Sequence, residues 1–125
     1  MTVVDSNIED VLEANNAFYR AFASFDKEAM ADIWAESELI TCIHPGWSLV
    51  EGRDDVLASW DRILENPNQP PIVSGGAQVR KYGDSAVVLC RESVAGGLLY
   101  ATNVFVKDSA AWKLMHHQSA PVVMN

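Results

Sequence analysis

Positive charge is scarce in this chain. Nine Lys and Arg stand against 17 Asp and Glu, for a formal net charge of −8. The basic residues form no cluster, so a nucleic-acid backbone or an anionic membrane surface is a poor partner. Cysteine is equally sparse. Cys42 and Cys90 are the only two, too distant for a Cys-x-x-Cys motif, and they read as buried thiols rather than a disulfide. No His-Glu-x-x-His, no facing carboxylate pair, no P-loop and no dinucleotide-type glycine pattern occurs. A metal needs three or four convergent ligands, and only His44, His117 and Cys42 offer any, so neither metal nor cofactor is expected. No apolar run approaches the roughly 18 residues that span a bilayer. The opening "MTVVDSNIED" has neither a basic n-region nor an apolar h-region, so no signal peptide is read there and a cytoplasmic location is the expectation.

What is present points to a packed fold. Hydrophobic residues make up 49% of the 125, with four tryptophans, which argues against disorder. The length suits one domain, 1–125, with a core of its own, and no repeat, low-complexity tract or linker divides it.

The first half reads as helical. "NIEDVLEANNAFYRAFASF" puts Ile8, Val11, Leu12, Asn15, Tyr19 and Phe22 on one stripe at helical spacing. Asp5, Ser6 or Asn7 is placed to cap it. "DKEAMADIWAE" predicts a second helix with Asp26 as N-cap. "LITCIH" then alternates as a strand, with Ile40, Cys42 and His44 on one face. Pro45-Gly46 turns the chain and "WSLVE" returns. "GRDDVLASWDRILENP" predicts a third helix, stopped by Asn66-Pro67, and "PNQPP" a loop. The second half reads as a β-meander of "AQVRKYG", "SAVVLCRESVAG", "LLYATNVFVKD" and "AWKLMHHQSAP". Its turns are marked by Gly83-Asp84, Gly96-Gly97 and Asp108-Ser109. Helices grouped before an antiparallel sheet make an α+β domain.

This order resembles the NTF2-like superfamily and, within it, the SnoaL-like and DUF4440-type families. The stretches "FYRAFASFDKEAMADIWAE", "HPGWSLVEGRDDVLASW" and "AAWKLMHHQSAP" carry the likeness, over about residues 8–121. The resemblance implies an NTF2-like (cystatin-like) cone-shaped barrel, with three N-terminal helices packed on a curved antiparallel sheet around an internal cavity. Enzymes and non-catalytic binders share this fold, so it does not dictate function. Ketosteroid isomerase, one member, has its general-base Asp just before the Pro of the strand-end turn. Here that place is His44. Asn103 falls where that enzyme keeps a protonated Asp as oxyanion donor, and Phe18 nearest its donor Tyr. Tyr19 is adjacent but lies roughly 100° round the helix.

His44 therefore reads either as a general base or acid facing the cavity or as a hydrogen-bonded plug at the barrel mouth. His116 and His117 are consecutive in a strand and must point to opposite faces. The alignment turns Met115, His117 and Ser119 inward and Leu114, His116 and Gln118 outward. Asn103 shares a face with Phe105 and binds either a ligand carbonyl, His117 or water. Tyr19, Phe22, Trp34, Trp47, Trp60 and Phe105 read either as lining for an apolar or aromatic ligand or as plain core. Arg91 reads as a surface residue of the outer sheet.

Three functions compete. A cofactor-free isomerase, dehydratase or cyclase would use His44 to move a proton, with Asn103 and His117 holding an oxyanion. A binding module would hold a small apolar or aromatic molecule in the same cavity without chemistry. An interaction protein would form a homodimer through the sheet face, using Leu98, Tyr100, Thr102, Val104, Trp112 and Leu114.

Overall fold

The computed structural model describes residues 6–123. Of the cap candidates for the first helix, Asp5 and the Ser6 side chain lie outside the described residues. Helix α1 spans Ser6–Ala23, α2 Lys27–Ile33 and α3 Arg53–Glu65. Strands are β1 Thr41–Ile43, β2 Val50–Glu51, β3 Ile72–Tyr82, β4 Ser85–Val94, β5 Gly97–Asp108 and β6 Ala111–Pro121. They form one sheet in the order β2-β1-β6-β5-β4-β3. This is the expected α+β cone, with one departure. β1 runs parallel to β6, while all other neighbours are antiparallel. The two strands are distant in sequence, so no tight hairpin dictates their relative direction.

α1 buries Val11, Asn15, Phe18, Tyr19 and Phe22 against the sheet. Phe18 belongs to this seam although the predicted stripe omitted it, and Ile8 is 37% exposed. The helix ends with Phe25 in a left-handed conformation (φ 56°), and Asp26 N–H reaches back to the Ala21 carbonyl at 3.0 Å, a Schellman-type stop. Asp26 then caps α2 as expected, its Oδ1 accepting from Ala29 N–H at 3.0 Å. The other end of α2 is closed by a residue from elsewhere. Arg53, first residue of α3, donates to the carbonyls of Ala31, Trp34 and Ala35 at 2.9–3.0 Å. The "GRD" opening of α3 thus serves two helices, because carbonyls at a helix C-terminus lack intrahelical donors.

Two bulges shape the sheet. In β3 the pairing steps from Gly75↔Arg91 to Gln78↔Leu89, leaving Gly76 extra at φ 64°. A Cβ there would meet the Arg91 guanidinium at 3.2 Å, so glycine fits both the backbone and the space. β3 consequently begins at Ile72, not near Ala77 as the glycine pair implied. In β6 the pairing steps from Val104↔His116 to Phe105↔Leu114, leaving Met115 unpaired. That extra residue corrects the predicted parity. Trp112 and Leu114 point inward (7% and 0% exposed), and so do His117 and Ser119 after the bulge (1% and 3%). Met115 is only partly buried. A strict two-residue alternation cannot hold across a bulge, so Leu114 and Trp112 are core and leave the proposed dimer face.

Arg53→Ala should lower the unfolding free energy by about 1–3 kcal/mol, because it orphans three carbonyls at once. Arg53→Lys should recover only part, since an ammonium cannot span three acceptors with a planar fork. Urea denaturation of the three proteins checks this, and equal midpoints would remove Arg53 from the framework.

Candidate functional site

A cavity of about 270 Å³ opens between α1, α3 and the inward rows of the sheet, with His44, Glu92, His117, Trp47, Trp60 and Phe22 in its wall. The local sequence explains how each group arrives there. His44 follows β1 on the buried side with Ile40 and Cys42, all three at 3% exposure or less. The turn after it closes with Trp47 N–H donating to the His44 carbonyl at 2.9 Å, and Gly46 takes φ 80°. Pro then Gly in the middle of a four-residue turn is type II chemistry. This folds Trp47 back so that its ring meets the His44 imidazole edge-on at 4.8 Å.

His44 Nε2 lies 2.9 Å from Ser59 Oγ. The Ser59 hydroxyl already donates to the Val56 carbonyl at 2.6 Å. It has one hydrogen, so toward the imidazole it accepts and His44 carries its proton on Nε2. Nδ1 keeps a lone pair, and its one polar contact among the described residues is Cys42 Sγ at 3.9 Å. The same count fixes His117. Its Nδ1 lies 2.5 Å from Asn103 Oδ1, while Asn103 Nδ2 donates to Asn15 Oδ1 at 2.9 Å and to Tyr19 OH at 3.2 Å. His117 therefore donates from Nδ1, and its Nε2 lone pair has no partner among the described residues.

The network continues to Glu92, which is 2% exposed. Tyr19 OH donates to Oε2 at 2.6 Å and Ser119 Oγ to Oε1 at 2.5 Å. No Lys or Arg pairs with it among the described residues. Sequence reasoning missed Glu92. The signal was available: on β4 it continues the inward row Ala86, Val88 and Cys90, all fully buried, and an acid on an apolar row is conspicuous. Arg91, its neighbour, faces the other way, as expected.

Burial governs the electrostatics. It lowers His44 to about 4. Burial first, then the neighbouring His44 and His116, lowers His117 to about 3. Both imidazoles are neutral at neutral pH, because a charge would lose water without gaining a counter-ion. Burial pushes the Cys42 thiol up to about 12, which makes it inert rather than nucleophilic. Burial raises Tyr19 and Glu92, and the donors Ser119 and Tyr19 pull Glu92 part of the way back.

Of the sequence candidates, His44, His117, Phe22, Trp47 and Trp60 stand in the cavity wall. Asn103, fully buried, lies behind His117. Both its amide hydrogens are spent, so it cannot also donate to a substrate oxyanion. His117 offers a lone pair to the cavity, which likewise excludes it as a donor while neutral. Tyr19 and Ser119 act through Glu92 rather than on the wall. Trp34 and Phe105 are core, at 1% and 0% exposure. Among the described residues, no group of three His, Cys, Asp or Glu is close enough to hold a metal ion.

Comparison with known proteins agrees with this architecture. The model of the SnoaL-like domain matches residues 11–124. The chain belongs to the SnoaL-like domain family. Among solved structures, this SnoaL-like chain is similar to a Streptomyces avermitilis protein provisionally named a dehydratase of the NTF2-like family. The identity is 30%, 98% of this chain and 100% of that one are covered, and the TM-score is 0.88. A Nostoc punctiforme protein of unknown function with a cystatin-like fold gives 15% identity, 98% and 96% coverage and a TM-score of 0.79, a likeness of fold alone. Among curated proteins, the F-box protein SKIP8 of Arabidopsis thaliana is 26% identical over 117 residues. That match takes in 92% of the SnoaL-like chain but 51% of the relative, so the chain spans about half its length. No helix among the described residues is long and apolar enough to cross a membrane.

The buried histidines make stability pH-dependent. The unfolded chain protonates them near 6.5, whereas the fold resists down to about 4 and about 3. Between these limits the unfolded state holds more protons, so stability falls as pH drops below 6.5, by at most about 3 kcal/mol through His44 and about 5 kcal/mol through His117. Glu92 works in the opposite sense: its carboxyl is raised in the fold, so its contribution falls as pH rises through that range. Urea midpoints measured at neutral pH and near pH 5 should decline with acid in the wild type. A His44→Gln, His117→Gln variant should lose most of that decline; an unchanged slope would show that neither imidazole is held neutral.

Proposed function

We propose that the protein binds a small, largely apolar molecule in this cavity and moves a proton on it without a cofactor. The observation that carries the reading is His44, whose Nε2 is tied to Ser59 and whose Nδ1 lone pair is left over. A neutral imidazole with one nitrogen anchored by a hydroxyl and the other holding only a weak thiol contact is a positioned proton acceptor. In an elimination, Nδ1 takes a proton from carbon while the bond from the neighbouring carbon to a hydroxyl breaks. The departing oxygen then receives that same proton, water leaves, and the imidazole returns to neutral. In an isomerisation the proton goes back to a different carbon. Neither needs an oxidant or a metal. The Streptomyces relative's name, a dehydratase, favours elimination. Asn103, Asn15 and Tyr19 are positioning residues in this scheme, fixing the tautomer of His117 and the orientation of Glu92.

His44→Gln keeps a donor for Ser59 and removes the base. With a substrate found by screening, turnover should fall by about 10²–10⁴-fold, while ligand affinity stays within about threefold. Undiminished turnover would leave a binding module without chemistry.

The outer sheet face supports a second reading, a homodimer. Leu98 and Tyr100 are 38% and 46% exposed on one face of β5, beside the partly exposed Thr102 and Val104. An isologous pairing of that face would cover them. Light scattering at micromolar concentration should report twice the chain mass, reverting to one in Tyr100→Glu; a wild-type monomer overturns it.

A further inference from the structure

The cavity wall is rich in hydrogen-bond acceptors, against the Trp60 indole N–H and the Gln69 amide as its donors. After the proton count, His44 Nδ1 and His117 Nε2 offer lone pairs. Glu92 offers a carboxylate that already takes Tyr19 and Ser119 as donors. Two O–H donors aimed at one buried carboxyl fit the ionised form, which accepts on both oxygens. Yet Glu92 has no cation among the described residues, and a buried carboxylate without one is costly. The remaining wall is apolar apart from Gln69, and Phe22, Trp47 and Trp60 supply its rings. Phe22 and Trp60 pack edge to face at 5.0 Å, and Trp60 meets His44 at 4.8 Å. Aromatic rings around a carboxylate suit an organic cation, since the ring faces are electronegative and the apolar body of the ligand removes water.

We propose that the ligand of this cavity is a small amine bound in its ammonium form. Its charge lies against Glu92, an N–H turns to His117 Nε2, and its apolar body lies on Trp60 and Phe22. This rests on the reading that the cavity is a binding site, and adds the chemical class of what binds. A volume of about 270 Å³ lies just under the usual range of roughly 300–1,000 Å³ for ligand pockets, so the ligand is smaller than drug-sized. A neutral body of equal shape would satisfy the rings and leave the carboxylate unpaired. A carboxylic acid would be repelled.

The test is calorimetric titration of the full chain, near neutral pH, with 2-phenylethylammonium and with its neutral isostere 2-phenylethanol. The ammonium should bind at least about tenfold more tightly, in line with a charge-assisted hydrogen bond, and should displace the alcohol. Glu92→Gln should bring the two within about threefold by weakening the ammonium alone. Should that variant fail to fold, Glu92→Asp, which keeps the charge and shortens its reach, should weaken the ammonium and spare the alcohol. Equal affinities in the wild type, or an ammonium preference that survives the loss of Glu92, overturn the amine and leave the cavity as a site. Binding of neither probe overturns both readings.

Discussion

The Asn103 side chain is the joint on which the interior depends. Its carbonyl oxygen takes the His117 proton and its two amide hydrogens go to Asn15 and Tyr19. One amide thus connects α1, β5 and β6. Turning it over would set donor against donor at His117 and break all three contacts, each a buried polar group that would lose its partner. Asn15 and Tyr19 sit one turn apart on α1, so the same bonds fix the rotation of that helix over the sheet. Tyr19 passes the constraint on to Glu92, and Glu92 to Ser119. A chain of directed buried bonds of this kind has few alternative arrangements, which is how a polar interior specifies one geometry.

Against that network the apolar core acts as a mould. Phe18 lies against His117 at 5.0 Å and Trp60 against both histidines, at 4.8 and 5.7 Å. These rings exclude water from the imidazoles, and exclusion of water keeps them neutral. Arg53 and Asp26 hold α2 at its two ends, so the far side of the cone is set by capping rather than by the site. The frame of the cone and the polar groups of the cavity are therefore supplied by different residues.

Much of this was legible in the sequence, and the failures have specific causes. β6 was found with its limits intact, Asp26 was recognised as a cap, and Ile40, Cys42 and His44 were placed on one face because a short strand obeys strict alternation. The parity of β6 was right for His117 and Ser119 and wrong for Leu114, because a bulge at Met115 carries no local signature when neither glycine nor proline marks it. The start of β3 was missed for the opposite reason. Gly75-Gly76 looks like a break, but Gly76 supplies the left-handed residue of a bulge inside a continuing strand. Glu92 is hard to read from sequence because an acid between Arg91 and Ser93 looks like part of a solvated strand edge. The roles of Asn103 and His117 could not be assigned without distances, since donor or acceptor behaviour depends on which hydrogens are already spent.

The proton count also bears on whether His44 is a plug. A plug closes a barrel most cheaply when all its polar atoms are paired, since an unpaired acceptor in an apolar wall costs about 1–3 kcal/mol. His44 pairs one nitrogen with Ser59 and leaves the other a weak thiol contact. Among the described residues His117 pairs one and leaves the other open, and the carboxylate between Tyr19 and Ser119 lacks a cation. Three such groups on one cavity wall are the reverse of a satisfied core. An apolar side chain at any of the three positions would fill the space at lower cost, so the three groups are a cost to the fold that the proposed ligand would offset. That shared cost joins the "TCIHPGW" turn to the acid on β4, since His44 and Glu92 stand in one cavity wall.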